Sequence, residues 1–172
     1  IVGGSKIGFY LSKLLVSSGI GVKLIDKDKK QCEKLNESIP DAMIIHGNGN
    51  DHDMLIEEGL MDVDAFIALT NHDEENIFLS LYAQGQCDAK LVTKVQKLNY
   101  DAMIERLDLG SMIYPEYLTA QYIVQYVRAR QNSIGSNIEN LYKLMDGRAE
   151  ALEFHIQKGS PVIGVPIKDL PL

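Results

Sequence analysis

The chain has 172 residues, 45% hydrophobic and 24% charged, with a formal charge of −7 and a mean hydropathy of −0.08. Such a length can bury a full core without disulfides or structural metal, and an acidic balance excludes general DNA or RNA binding, which needs clustered cations. No apolar run approaches the ~18 residues of a membrane helix, and no signal-peptide pattern is present.

From residue 1 to about 130, short apolar runs alternate with amphipathic ones. Strands are predicted at Ile1–Val2, Val22–Ile25, Ala42–Ile45, Ala65–Leu69, Leu91–Val95 and Met112–Tyr114. Helices are predicted at Ile7–Ser17, Lys29–Ser38, Asp51–Glu58, Glu74–Gln84 and Tyr100–Leu107. Nearly continuous apolar strands separated by helices indicate a doubly wound, Rossmann-like parallel sheet of the α/β class, covered on both faces. Ile1–Val2 reads as the tail of a strand, as though the sequence were a fragment. Gly19, Gly59 and Gly85 are placed to end three helices in the left-handed conformation. Asp73, Glu74 and Glu75 put negative charge at the positive end of another helix.

After Pro115, a helix over 117–130 carries two apolar stripes. Ala120, Ile123, Val124 and Val127 form one, and Leu118, Tyr122 and Tyr126 form the other. A helix apolar on two sides is buried deeply or shared between bodies, and sharing with a second copy is the favoured reading. Residues 131–148 read as a connecting segment, polar through Asn137. Residues 149–172 read as the start of a second, smaller α+β domain, with Leu152, Phe154 and Ile156 alternating in a strand and a turn at Lys158-Gly159-Ser160.

The stretch Ile1-Val2-Gly3-Gly4-Ser5-Lys6-Ile7-Gly8 stands at a strand end and opens a helix. In a dinucleotide fingerprint the first Gly permits the tight turn, the second admits the pyrophosphate and the third allows close helix–strand packing. Gly3 and Gly8 take the first and third places and Ser5 the second. Asp26, at the end of the next strand, is spaced as a carboxylate that accepts bonds from ribose hydroxyls and repels a 2′-phosphate, favouring NAD(H) or an adenine nucleotide. Two further loops, His46-Gly47-Asn48-Gly49-Asn50-Asp51 and Thr70-Asn71-His72-Asp73-Glu74-Glu75-Asn76, follow strands at the edge where open α/β sheets bind ligands.

Other chemistry is not signalled. The histidines have no metal-ligand spacing, and Cys32 and Cys87 lie in no CxxC pattern, which suits free thiols in a reducing cytosol. None of the eight tyrosines has a lysine four residues later, and neither GxSxG nor a full Walker A motif occurs. A nucleotide site without a catalytic set reads as a sensor. An NAD-dependent oxidoreductase of a small substrate, or an assembly module with a vestigial site, are the alternatives. Between Lys34 and Lys90 there is no Lys or Arg but twelve Asp and Glu, a set of solvated faces and helix starts.

Together, the fingerprint, Leu24-Ile25-Asp26-Lys27-Asp28, the His46 loop and Ala68-Leu69-Thr70-Asn71-His72-Asp73-Glu74-Glu75-Asn76 resemble the RCK/KTN (TrkA-N) nucleotide-binding domain family over about residues 1–130. Residues 149–172 resemble the start of the RCK C-terminal domain. The resemblance implies that Gly3, Gly4, Ser5, Lys6, Ile7 and Gly8 surround a diphosphate, and that Asp26 and Lys27 lie at the adenosine ribose. It implies Gly47, Asn48, Gly49 and Asn50 beside the adenine, and Thr70 and Asn71 near the distal half. Lys94 falls where many members carry a basic residue. Family members often have Gly in place of Ser5 and Asp in place of Asn48.

The resemblance further implies a non-enzymatic regulatory subunit of a bacterial potassium uptake system, cytoplasmic and peripheral at the inner face of the membrane. It would bind NAD(H), or ATP/ADP, and gate a TrkH- or TrkG-like membrane K+ transporter subunit by conformational change. It would form a homodimer through helix 117–130, within a larger ring.

Overall fold

The computed structural model describes residues 1–96, 107, 109–132, 138–144, 149–154, 156, 158–160 and 162–169. The helix expected over 100–107 lies outside these residues, apart from Leu107. The chain divides into two compact units, Ile1–Glu116 and Tyr117–Leu172.

Among the described residues, the first unit contains five parallel strands: β1 (Lys23–Asp26), β2 (Met43–His46), β3 (Ala65–Ala68), β4 (Lys90–Lys94) and β5 (Ser111–Ile113). Around them lie α1 (Lys6–Ser17), α2 (Lys29–Ser38), α3 (His52–Glu57) and α4 (Asp73–Gln86). The strand predicted at the start is present only as a bridge at Val2, which pairs in parallel with both Ile25 and Ala68. Val2 N donates to Ile67 O at 2.8 Å and Leu69 N to Val2 O at 2.7 Å on one side. Gly3 N donates to Ile25 O and Ile25 N to Ile1 O, both at 2.9 Å, on the other. The order is therefore β2-β1-Val2-β3-β4-β5, and the sheet reverses direction of progress at Val2. Ligands of open α/β sheets bind at such a switch point.

Alternation along β1 shows why both faces are covered. Leu24, fully buried, packs with Val22, Leu35, Ile39 and Ala42, and partly buried Phe9, Leu15 and Val16 of α1 lie against them. The next residue, Ile25, points the other way and packs with Val2 and Phe66 of the sheet and with Leu55, Leu60, Leu79 and Ala83, drawn from α3, the segment after it and α4. One helix pair thus covers each face, as the doubly wound expectation requires.

Local chemistry fixes the helix ends. Asp28 caps α2 by accepting from Lys30 N at 2.9 Å and Gln31 N at 3.4 Å, and Asp51 caps α3 through Met54 N at 3.2 Å. Gly19 and Gly59 follow α1 and α3 with φ of +78° and +85°, as predicted. Gly85 corrects the prediction. It lies inside α4, which runs on to Gln86 and ends when Cys87 N closes the last turn on Ala83 O at 3.0 Å.

α5 (Pro115–Asn132) begins in the last two residues of the first unit and continues into the second, with proline at its first position, where the missing N–H costs no bond. Leu118, Tyr122 and Tyr126 of one predicted stripe, and Ile123, Val124 and Val127 of the other, are all exposed in the single chain. β6 (Ile138–Leu144) and β7 (Ala149–Phe154) form an antiparallel pair, with Ile138 opposite Phe154 and Leu144 opposite Ala149. β7 holds most of the alternating run read from the sequence, whereas β6 was unanticipated. Residues 133–137 and 145–148 of the expected connecting segment lie outside the described residues. Gly159, in the predicted turn, has φ +95°.

Candidate functional site

At the carboxyl edge of the sheet, beneath the start of α1, lies a cleft of about 310 Å³. Nine of the fifteen residues expected to hold a cofactor line it: Gly3, Ser5, Asp26, Lys27, Gly47, Asn48, Gly49, Thr70 and Asn71. Strand order distributes them. Asp26 ends β1 and the Gly47–Gly49 loop follows β2 on one side of Val2, Thr70 and Asn71 follow β3 on the other, and Gly3 and Ser5 lie between.

The start of α1 differs from the other helices of this unit. Asp28 and Asp51 cap α2 and α3, and three acids occupy the first turn of α4. Ser5, the N-cap of α1, makes no capping hydrogen bond, and the first turn carries no acid. The free N–H groups and positive dipole end of α1 are thus directed where an anion can be received. Close packing brings the helix there. A Cβ on Gly8 would collide with Gly3 O, so only glycine lets α1 sit this near the turn.

Asp26 fixes one wall. Its Oδ2 accepts from Gly4 N at 2.6 Å and its Oδ1 from Asp28 N at 2.8 Å, which leaves lone pairs on both oxygens for a diol. Gln31 Nε2 donates to Gly4 O at 2.6 Å, so α2 clamps the glycine turn from the other side. Gly47 and Gly49 are set close beneath Met54 and Val2, where a Cβ would strike Met54 Sδ or Val2 Cγ1. Asn48 Oδ1 accepts from Asn50 N at 3.1 Å and shapes that loop.

Six expected residues do not line the cleft. Gly4 and Gly8 are buried behind the turn, and Lys6 and Ile7 lie exposed on α1. Asn50 donates to Glu75 Oε1 at 2.7 Å, outside the lining. Lys94 also stands outside the cleft lining. It is 2% exposed at the end of β4, and burial lowers its pKa while the charge of Asp73 acts in the opposite direction. Sequence reading missed Gln31 and Asp28 in the lining, and gave His72 and Glu75 no individual role. Gln31 carried a weak signal, one turn of helix beyond the Asp26 wall.

The carboxylates of Asp26, Asp28 and Glu75 face the cleft with Lys27 as the cation of the lining. A negative ligand group is therefore welcome at the α1 end and disfavoured elsewhere. Among the described residues, no cluster of His, Cys, Asp and Glu could hold a metal ion, and no helix is long and apolar enough to cross a membrane.

Cys32, 7% exposed, packs behind this wall with Sγ 3.3 Å from Asp26 O. Burial raises its thiol pKa, and the charges of Asp26 and Asp28 push the same way. Cys87 is more accessible. Iodoacetamide at pH 8 is expected to alkylate Cys87 well before Cys32, as peptide mapping over a time course will show. Equal rates would contradict the buried wall.

The sequence model of the TrkA-N domain matches residues 1–115. The chain belongs to the TrkA-N domain family. Among its TrkA-N relatives, the Trk system potassium uptake protein TrkA of Vibrio alginolyticus is 33% identical over 175 residues, covering 100% of this chain and 37% of that protein. The TrkA of Halomonas elongata is 31% identical, with the same shares of 100% and 37%. The chain thus spans little more than a third of the length of these curated relatives.

Among solved structures, the TrkA-N domain of the inner membrane protein ybaL from Escherichia coli superposes with a TM-score of 0.65 at 17% identity, covering 73% of this chain and 93% of that one. The GsuK channel bound to NAD gives 0.57 at 17% identity, covering 84% of this chain and 25% of that one. These likenesses establish the Rossmann-like TrkA-N fold.

Proposed function

We propose that the first unit is a nucleotide sensor of a potassium uptake system, binding NAD(H) and, in the same cleft, ATP or ADP. The observation that carries this reading is the uncapped, acid-free start of α1 over a cleft whose wall is the doubly anchored carboxylate of Asp26. Diphosphate would meet the helix end and the adenosine ribose would meet Asp26, with the Gly47–Asn50 loop beside the base. Thr70 and Asn71 would meet the distal half. The names of the relatives, potassium uptake proteins, and the NAD-bound GsuK channel support the assignment by likeness.

The role is regulatory, without a reaction of its own. Residues 1–130 would form the sensing domain, 131–148 the connection, with its β6 paired to β7, and 149–172 the opening of an RCK C-terminal domain. The assembly would sit in the cytoplasm against a membrane K+ transporter subunit. Nucleotides would gate it only through different affinities for its two conformations.

Titrating the chain calorimetrically with NADH, NAD, ATP, ADP and NADPH tests the reading. NADH and an adenine nucleotide are expected to bind and to compete. Binding by none of them would end the sensor reading, and a strong NADPH preference would contradict the role of Asp26.

Pairing through the helix over 117–130 would cover its two exposed apolar stripes in a homodimer, the unit of a larger ring. Tyr122, 72% exposed in the single chain, lies on one stripe. Tyr122→Glu places a charge there and is expected to yield monomers in light scattering. A dimer as stable as the unsubstituted chain would show that pairing occurs elsewhere.

A further inference from the structure

We infer that Asn76 is a positioning residue for the half of a dinucleotide that lies beyond the diphosphate, an inference that rests on the cleft reading above. Asn76 is fully buried in the first turns of α4, and its amide is committed three times. Oδ1 accepts from Thr70 N at 2.8 Å, while Nδ2 donates to Thr70 O at 3.1 Å and to Lys94 O at 2.9 Å.

The placement explains the commitment. The parallel ladder between β3 and β4 ends where Ala68 pairs with Thr93. Beyond it, Thr70 would have no strand neighbour for its N–H and C=O, and two unpaired backbone groups are costly where water is scarce. The Asn76 amide supplies both partners and joins them to β4 through Lys94 O. Thr70 Oγ1 then lies 3.3 Å from both His72 N and His72 O, so one buried side chain sets the course of the Thr70–His72 loop.

Thr70, Asn71 and His72 line the cleft, whereas Asn76 does not. Its influence on a ligand passes through that loop. The strand order puts the loop on the opposite side of the α1 start from Asp26. A ligand with its ribose at Asp26 and its diphosphate at α1 therefore extends toward Thr70 only if it has a second nucleoside. NADH does, and ADP stops at the diphosphate. A residue that acts on the ligand through this loop is thus distinguished from one that merely holds the fold.

The test compares NADH with ADP, by calorimetry on the 172-residue chain and its Asn76→Ala variant, with thermal melts of each. The expected result is a rise of about tenfold or more in the NADH Kd with the ADP Kd held within about twofold. Equal weakening of both ligands would make Asn76 a fold residue, and unchanged NADH binding would remove it from the site. Either result overturns the inference. Should Asn76→Ala fail to fold, Asn76→Ser, which retains one hydrogen-bonding group, carries the same comparison. Failure of the unsubstituted chain to bind either ligand would appear before any variant is made, and would overturn the cleft reading together with this one.

Discussion

Gly3→Ala is expected to abolish NADH binding and to destabilise the first unit by about 3 kcal/mol or more in urea unfolding. Gly3 has φ +108°, and a Cβ there would lie 2.7 Å from both Leu69 C and Leu69 O and 2.8 Å from Thr70 N. All three are backbone atoms, so no side-chain rotation relieves the clash. Nor can the backbone retreat freely, because Leu69 N is bonded to Val2 O at 2.7 Å. Gly19→Ala is the control. It too has positive φ, +78°, but a Cβ would meet nothing within 4 Å, so only conformational strain of about 1 kcal/mol is expected, with NADH binding unchanged. Similar losses from both substitutions would mean that the clash beneath the cleft contributes nothing.

Asp26→Asn is expected to weaken NADH by about tenfold or more and to narrow the preference over NADPH. The substitution keeps the shape of the side chain and removes its charge. Each carboxylate oxygen now accepts from a backbone N–H, Gly4 at 2.6 Å and Asp28 at 2.8 Å. An amide can accept at one of these positions but opposes a donor with its own NH₂ at the other. A stability loss of about 1–2 kcal/mol is expected to accompany the change in affinity. Parallel titrations with NADH and NADPH check both parts. An unaltered ratio of the two affinities would show that Asp26 shapes the turn without meeting the ribose.

The fold was legible where its signals are local. Val22 to Ile25, with the adjacent acid, marks both β1 and one wall of the cleft, and the helices predicted from Lys29 and Asp51 begin within a residue of α2 and α3, which Asp28 and Asp51 cap. Legibility failed where a partner is distant in sequence. Gln31 reaches Gly4 O across the β1 turn, and Asn76 reaches Lys94 O from another element, so neither role can be read from neighbouring residues. Lys94, named by the family resemblance alone, lies outside the cleft lining because the packing of α4 over β4 buries it. Gly85 signalled a helix end, but a glycine whose Cβ position is open to space can equally continue a helix at modest cost.

The bridge at Val2 also bears on the order in which the sheet is assembled. Its pairing with Ile25 closes a chain loop about one third as long as the loop closed by its pairing with Ala68, a difference of roughly 1 kcal/mol in closure entropy. The β1 side is thus expected to join early and the β3 side late, making the seam under the cleft one of the last parts of the unit to consolidate. A nucleotide laid across that seam would hold together two halves that folding itself unites last. Slowed exchange of the Leu69 amide on NADH binding would be the signature of that closure.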